Sequence, residues 1–408
     1  MREELLHFIW RFRYFNQQAL FTESGEPVQV LSPGESHTHQ GPDFKNARIR
    51  LGDHLLEGAV EIHVVTSDWV RHAHDQDRHY AETILHVVWE DDWTGGAPPG
   101  DIPILVLREQ VPKLLLHRYE RWMKSQGFVP CERQLPEVAG EAWPGWLETL
   151  AEQRLRRRSV PIRLCLEDNR QHWEATTWIW MARAMGLPVN GDAFEAIARS
   201  LPVELLTRHR GHRIQLEALL LGGAGLLEGP FPEGHHLFAH QREYHFLRGK
   251  FGLQPVAIPV SFLRMRPPNF PTIRLVQLAG LFMTGVGWFA RIREILSPDE
   301  LWTGEERLST ATRDKLVINA FVPLLFTYGW TRREPAYQEK ALRWLRETPA
   351  EKNSVLTRWR QLGVAARHAG DSQALLELKK EYCVERRCLD CAIGNRWLIS
   401  LVNNRERR

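Results

Sequence analysis

Eight of the eighteen histidines in this chain fall between His37 and His86, and the same fifty residues hold Asp43, Glu61, Asp68, Asp75 and Asp77. Imidazoles and carboxylates at that density are the raw material of metal centres and acid–base pairs. Glu61 and His63 stand two residues apart in a run, Ala59 to Val65, whose composition predicts a strand. Both side chains therefore leave one face while Val60, Ile62 and Val64 leave the other. Asp43 lies eighteen residues before Glu61, just ahead of the preceding strand, and a turn at Gly52-Asp53 brings it alongside. Two such carboxylates, with a third polar group two residues after the second, suit phosphodiester hydrolysis with Mg or Mn. Oxygen ligands hold the cation, which polarises the phosphate and lowers the pKa of the attacking water. His72 and His74 follow directly. In an extended segment they share a face and could bind zinc or manganese with His63, the nearest chemical rival. The plainer alternative is that His63 packs or hydrogen-bonds at a domain surface. His86, inside an apolar strand, reads as a hydrogen-bonded core histidine.

The surrounding pattern supplies elements to position these groups. Leu5, Leu6, Ile9, Trp10 and Phe12 at helical spacing predict a helix over 3–15. Strands are expected at 28–31, 47–51, 59–65 and 83–89, with a short helix over the polar segment 67–80, so the order is α-β-β-β-α-β. A further strand at 102–107, after the turn-rich Gly95-Gly96-Ala97-Pro98-Pro99-Gly100, closes a first domain at residues 1–110. Beyond it the period is helical, as in 146–155, 173–185, 194–201, 275–289 and 315–326. The expected fold class is α+β: an N-terminal α/β domain followed by a large mainly α-helical region, 111–408. Three prolines between Arg264 and Pro271 forbid helix and divide that region into two layers near 264–274.

Fifty-three Lys and Arg against fifty Asp and Glu leave a net charge of +3, so any nucleic-acid surface has to be local. Arg154-Leu155-Arg156-Arg157-Arg158 is one basic run that could meet phosphate or face solvent. Arg264, Arg266 and Arg274, flanking the proline-rich loop, are the stronger phosphate candidates. Five cysteines suit a reducing compartment better than a disulfide framework. Cys383-x4-Cys388-x2-Cys391 is denser than packing requires, and three thiolates need a fourth ligand, with Cys131 the candidate, to hold zinc or an iron–sulfur cluster. Reduced, unliganded cysteines are the alternative, and Cys165 reads as core. The acidic start MREELL is unlike a secretory signal, and the apolar stretch 275–290 falls short of the ~20 residues a membrane span needs. A cytoplasmic protein without a membrane anchor is expected.

The first domain resembles the PD-(D/E)XK nuclease superfamily over about a quarter of the chain: Pro42-Asp43 matches its PD element, and Glu61-Ile62-His63 stands in place of its E-x-K. The departure is His63 where the superfamily carries lysine. The resemblance implies a metal-dependent nuclease or phosphodiesterase in which Asp43 and Glu61 hold Mg or Mn, His63 orients or activates water, and nucleic acid is the partner. An upstream cysteine with a C-terminal triplet also resembles the iron–sulfur staple of some helicase-associated nucleases of that superfamily, with different spacing. Over nearly its full length the chain resembles a bacterial family designated domain of unknown function 2851, on Gly41-Pro42-Asp43-Phe44, Val60-Glu61-Ile62-His63, Ser67-Asp68-Trp69 with His72 and His74, the segment Arg266 to Arg274, and Cys388-Leu389-Asp390-Cys391-Ala392-Ile393-Gly394. That resemblance implies a bacterial, cytoplasmic setting and no activity. Two other functions stand beside the nuclease: a catalytically inactive nucleic-acid-binding or scaffold protein, and a zinc-dependent hydrolase of a small substrate.

Overall fold

The computed structural model describes residues 1–37, 40–135, 142–263, 265–285, 287–303 and 308–399. The chain is mixed α+β, with its sheet near the N-terminus and helices after it. It forms two compact units, Met1–Ala142 with Glu381–Arg408, and Trp143–Lys380. The first unit thus runs past residue 110 and recovers the end of the chain. Side chains distant in sequence hold that return. The Arg386 guanidinium donates to the carbonyls of Trp122 and Ser125 at 3.1 and 3.0 Å, and the rings of Trp122 and Trp397 lie 4.7 Å apart.

In the first unit, helix α1 (Glu3–Phe12) buries Leu5, Leu6, Ile9 and Trp10 of the predicted stripe, but it ends before residue 15 and leaves Phe12 exposed. There follow β1 (Val28–Ser32), β2 (Glu35–Ser36), β3 (Phe44–Leu51), β4 (His54–Val65), helix α2 (Asp68–Arg71), β5 (Thr83–Glu90), β6 (Ile104–Val106) and helix α3 (Lys113–Met123). The sheet runs β1-β3-β4-β5-β6, with β2 pairing to β3. The pairs β1–β3 and β3–β4 are antiparallel, whereas β4–β5 and β5–β6 are parallel. The order α-β-β-β-α-β is present with the two-residue β2 inserted. The helix expected over 67–80 contracts to α2 and two short 3-10 turns, His74–Gln76 and Arg78–Tyr80. A segment that polar offers no apolar stripe to bury, and Ala73, at φ 58°, leaves the helical region and ends it.

Two irregularities shape the centre of the sheet. Between the pairs Phe44↔Val60 and Ala47↔Gly58, β3 carries one more residue than β4, a bulge at which Asn46 takes φ 56°. Between Ala59↔Thr83 and Val60↔Leu85 the extra residue is Ile84, on β5. Gly58 sits against this second bulge. A Cβ there would lie 2.5 Å from Ile84 Cγ2 and 2.6 Å from the Glu82 carbonyl.

The second unit is helical, beginning with α4 (Ala142–Asp168) and α5 (Trp173–Gly186). Residues on both sides of the proline-rich segment, such as Leu219 and Leu278, belong to one buried core, so the segment does not separate two layers. Pro267–Asn269 form a 3-10 turn and Pro271 occupies the first turn of the next helix, where its missing N–H has no cost. The apolar stretch 275–290 is broken into helices Pro271–Thr284 and Trp288–Glu294. Among the described residues no single helix is long and apolar enough to cross a membrane. The helix expected at 315–326 is interrupted by a π-helical turn, Val317–Phe321, and a second such turn spans Leu378–Cys383.

Because the obstacle at Gly58 includes backbone, Gly58→Ala is expected to destabilise the protein by about 1–3 kcal/mol. Urea unfolding followed by circular dichroism measures this, and an unchanged midpoint would mean the sheet accommodates the methyl group freely.

Candidate metal centre

Strand alternation places Glu61 and His63 together, and the fold buries both, at 5% and 2% exposure. The β3 bulge sets Asp43 beside them: its backbone N–H donates to Glu61 Oε2 at 3.0 Å, and its own Oδ2 accepts the Ile62 N–H at 3.0 Å. The two carboxylates that sequence spacing paired are therefore in contact through the backbone. On the neighbouring parallel strand His86 lies opposite Glu61 in register, and its Nε2 is 2.9 Å from His63 Nδ1. His86 is the hydrogen-bonded core histidine expected, and it orients the site's central ring.

His72 and His74 reach the same point by a route different from the extended segment anticipated. His72 ends α2, Ala73 turns through the left-handed region, and His74 opens a 3-10 turn. The two rings thereby converge on His63, with His72 Nδ1 3.2 Å and His74 Nε2 3.3 Å from His63 Nε2. Ligand atoms of His63, His72 and His74 all lie within 4.8 Å of one another. Glu61 Oε1 joins them, 3.4 Å from His63 Nε2 and 3.2 Å from His74 Nε2. Tyr80 stacks on His74 at 3.9 Å between ring centroids, and the buried Trp69 meets the same ring edge-on.

Protons and a metal would favour different spacings here. The His63–His86 contact has the 2.9 Å length of an ordinary hydrogen bond. The three contacts at His63 Nε2, and the His74 Nε2–Glu61 Oε1 contact beside them, are longer, at 3.2–3.4 Å, close to the edge of a tetrahedron with metal–donor bonds of about 2.0–2.1 Å, which is about 3.3–3.4 Å. The electrostatics agree. Burial, followed by the nearby His86 and His74, pushes His63 down to about 2, and burial then His74 pushes His86 to about 4. Burial and then His72 lower His74 as well. These rings are neutral at physiological pH and can offer lone pairs. Burial, then the charge of Asp43, raises Glu61 well above the usual carboxylate range, as expected of acids gathered without a cation.

His7, on α1, was not evident from spacing. Its Nε2 lies 3.2 Å from Asp43 Oδ2, and Glu3 Oε1 is 3.9 Å away on the previous turn. Burial opposes a charge on His7, but the hydrogen bond to Asp43 and that carboxylate's field outweigh it and raise its pKa. No local pattern links residue 7 to residue 43.

The remaining candidates lie elsewhere. Arg274 is buried and donates to Gln277, Thr312 and Asn269, so its donors are engaged inside the second unit and its role is structural rather than phosphate contact. Arg266 is exposed, and Arg264 lies outside the described residues. In the first unit, Cys131 comes close enough to Cys391 and Cys388 that their charges, after burial, help push its thiol up to about 12. Burial and then Cys391 push Cys388 to about 12. Cys383 ends the second π-helical turn, and Cys165 is core in the second unit.

A family model described as "Protein of unknown function (DUF2851)" matches residues 3–304 and 299–354. The chain belongs to this family. The DUF2851 match covers all the residues of the histidine centre and stops short of the C-terminal cysteines. No curated protein and no solved structure matches the chain.

The left-handed turn at Ala73 gives a prediction that separates backbone geometry from ligand identity. Ala73→Gly is expected to keep metal content and to match or exceed the parent's stability, by up to about 1 kcal/mol, whereas a β-branched Ala73→Val is expected to lose metal. Elemental analysis of the purified variants, with thermal unfolding, checks this. Equal metal in the two would show that His72 and His74 do not need this turn.

Proposed function

We propose that the first unit is a metal-dependent phosphodiester hydrolase acting on nucleic acid, with His63, His72, His74 and Glu61 as the metal's donors. The observation that carries this reading is the set of 3.2–3.4 Å separations linking His63 Nε2, His72 Nδ1, His74 Nε2 and Glu61 Oε1. Nitrogen-rich donors favour zinc or manganese over magnesium, whose preference is for oxygen. His63 is then itself a ligand in the position where a nuclease of the resembled superfamily places lysine. Nucleic acid as substrate is supported by the α-β-β-β-α-β order and by the β3–β4 hairpin, which sets Asp43 beside Glu61 where that resemblance expects two carboxylates.

A metal bound here would supply Lewis acidity and a water acidic enough to attack at neutral pH. The chain's own residues do the rest. For His63 Nε2 to offer its lone pair the ring proton must sit on Nδ1, where His86 Nε2 accepts it and fixes the ring. Asp43, held by the Ile62 N–H and faced by His7, is placed to accept a proton and pass it to the imidazole. The same three histidines also fit a zinc hydrolase of a small substrate, a second reading that shares the metal set and differs in what enters the site.

The test is cleavage of labelled single- and double-stranded DNA and RNA, and of bis(p-nitrophenyl) phosphate, by protein loaded with zinc or manganese. Cleavage of nucleic acid that falls by roughly a hundredfold or more in His63→Ala and in Glu61→Gln is expected. Turnover of the small diester alone would favour the second reading. Metal bound tightly with no turnover of any diester would sink both.

The cysteines support a second, structural centre in the same unit. We propose that Cys131, Cys383, Cys388 and Cys391 bind zinc or an iron–sulfur cluster, on the sequence triplet Cys383-x4-Cys388-x2-Cys391, which shares the first unit with Cys131, and on the electrostatic influence of Cys391 and Cys388 on the Cys131 thiol; among the described residues the sulfurs do not form a group within 4.8 Å of one another, so binding would draw them together. Anaerobically purified protein should contain zinc, or iron with sulfide and visible colour, beyond what the histidine site accounts for. That content should fall in Cys388→Ser and persist in His63→Ala. The same metal content in the parent and Cys388→Ser proteins would remove the proposal.

A further inference from the structure

The basic run Arg154 to Arg158 is divided: Arg156 and Arg157 are exposed, whereas Arg154 and Arg158 are half-buried. On a helix, residues three and four apart share a side, so Arg154, Arg157 and Arg158 turn the same way from α4, while Arg156 pairs along the surface with Glu152 at 2.7 Å. Glu377 meets Arg154 at 3.1 Å and Arg157 at 2.6 Å. Arg158 is different. Its guanidinium reaches the carbonyls of Ile318 and Asn319 at 3.1 Å and the side-chain oxygens of Gln373 and Asn319 at 3.2 Å, all of them neutral. No carboxylate touches this half-buried guanidinium directly, and the nearest acid acting on it, Glu351, is bonded to Gln373 instead, so its charge is only partly offset. Burial, and then the neighbouring Arg154, lower its pKa to about 9.

Beside these arginines lies a cavity of about 320 Å³, lined by Arg154, Arg157, Arg158, Arg183 and Lys380 together with Trp180. Five cations and no acid form its wall. Arg183 is balanced outside the cavity by Asp192 and Glu195, at 2.6 and 2.7 Å, and lies over the Trp180 ring. The Trp180 indole N–H is buried without a hydrogen-bond partner among the described residues, a donor left for something else. Both π-helical turns contribute to the wall, Val317–Phe321 through Asn319 and Leu378–Cys383 through Lys380. Such turns recur at functional sites.

We propose that this cavity binds the phosphate group of a nucleotide-sized phosphate ester. Planar guanidinium groups match phosphate oxygens two at a time, and a dianion would offset the charge that Arg158 carries among neutral oxygens. The volume corresponds to about ten waters at ~30 Å³ each, more than a bare phosphate fills, and it falls in the range of small-molecule sites. The indole N–H supplies a further donor, and the tryptophan gives the cavity one aromatic wall. The inference does not rest on the reading of the metal centre, because every residue named belongs to the second unit.

The experiment is calorimetric titration of the full chain, in chelator, with AMP, ATP and adenosine, and with inorganic phosphate as competitor. Saturable binding of AMP or ATP, competed by phosphate and absent for adenosine, is expected. Affinity should fall by roughly tenfold or more in Arg158→Met, which deletes charge-assisted hydrogen bonds, and by a smaller factor in Trp180→Phe, which deletes one neutral donor. Replacing a half-buried cation that touches no carboxylate by an apolar chain of similar length is expected to leave the fold intact, and thermal unfolding verifies this; the milder Trp180→Phe keeps the test open if it does not. Adenosine binding as well as AMP, no saturable nucleotide binding, or affinity unchanged in every variant that folds would overturn the proposal.

Discussion

The nitrogen His63 Nε2 has one lone pair, yet three heavy atoms approach it within 3.4 Å. A proton can satisfy one such contact at a time, whereas a shared cation satisfies all of them together. That asymmetry orders the first unit. The β3 bulge turns Asp43 toward Glu61, the left-handed Ala73 turns both later imidazoles toward His63, and the parallel register of β5 brings His86 behind it. Each feature departs from the most regular local conformation, and all three aim side chains at one point. Irregularity of this kind costs on the order of 1 kcal/mol or more per site, and persists where the surroundings over-determine it.

The same point explains why the charges are so far from their usual behaviour. Histidine in water gains a proton near neutrality, but here each protonated ring would face other rings in a buried pocket, so burial and mutual repulsion act in one direction. Carboxylates respond oppositely to the same environment, and Glu61 is driven toward its neutral form by burial and by Asp43. Neutral imidazoles with available nitrogens beside an acid that lacks a cation form a donor set whose energy falls when a divalent ion enters. Because the ligands come from β4, α2 and the turn after it, an ion bound there would also tie the crossover to the sheet, and binding free energy would become folding free energy.

Part of this was legible in the sequence because it depends on short periods. The two-residue repeat of a strand put Glu61 and His63 on one face, and a hairpin brought Asp43 to Glu61. The strand order followed from apolar runs between turns. What could not be read depends on contacts between distant residues or on backbone irregularity. Spacing contains no term linking His7 to Asp43, or His63 to His86 on the next strand. His72 and His74 were grouped with His63 for a reason that failed, since the segment is a helix end followed by a left-handed residue rather than an extended strand. The domain boundary expected near residue 110 overlooked the return of the chain's end, because the contacts between Arg386 and the carbonyls after Trp122 span more than 260 residues. Arg274 shows the limit most plainly: beside three prolines its charge suggested a phosphate contact, and its actual partners are a threonine, a glutamine and an asparagine.

A net charge of +3 over 408 residues hides two local imbalances of opposite sign. In the first unit, Asp43 and Glu61 gather with His63, His74 and His86, which burial keeps neutral. In the second, five cations line one cavity that has no acid in its wall. Of those five, Arg154 and Arg157 pair with Glu377 and Arg183 with Asp192 and Glu195, so the unusual feature is that the cavity wall itself holds cations and no acid. The ligands proposed for the two sites are of opposite charge, a divalent cation in one unit and a phosphate anion in the other. Neither imbalance could be inferred from composition, where they cancel, and each is visible only once the fold has sorted acids from bases.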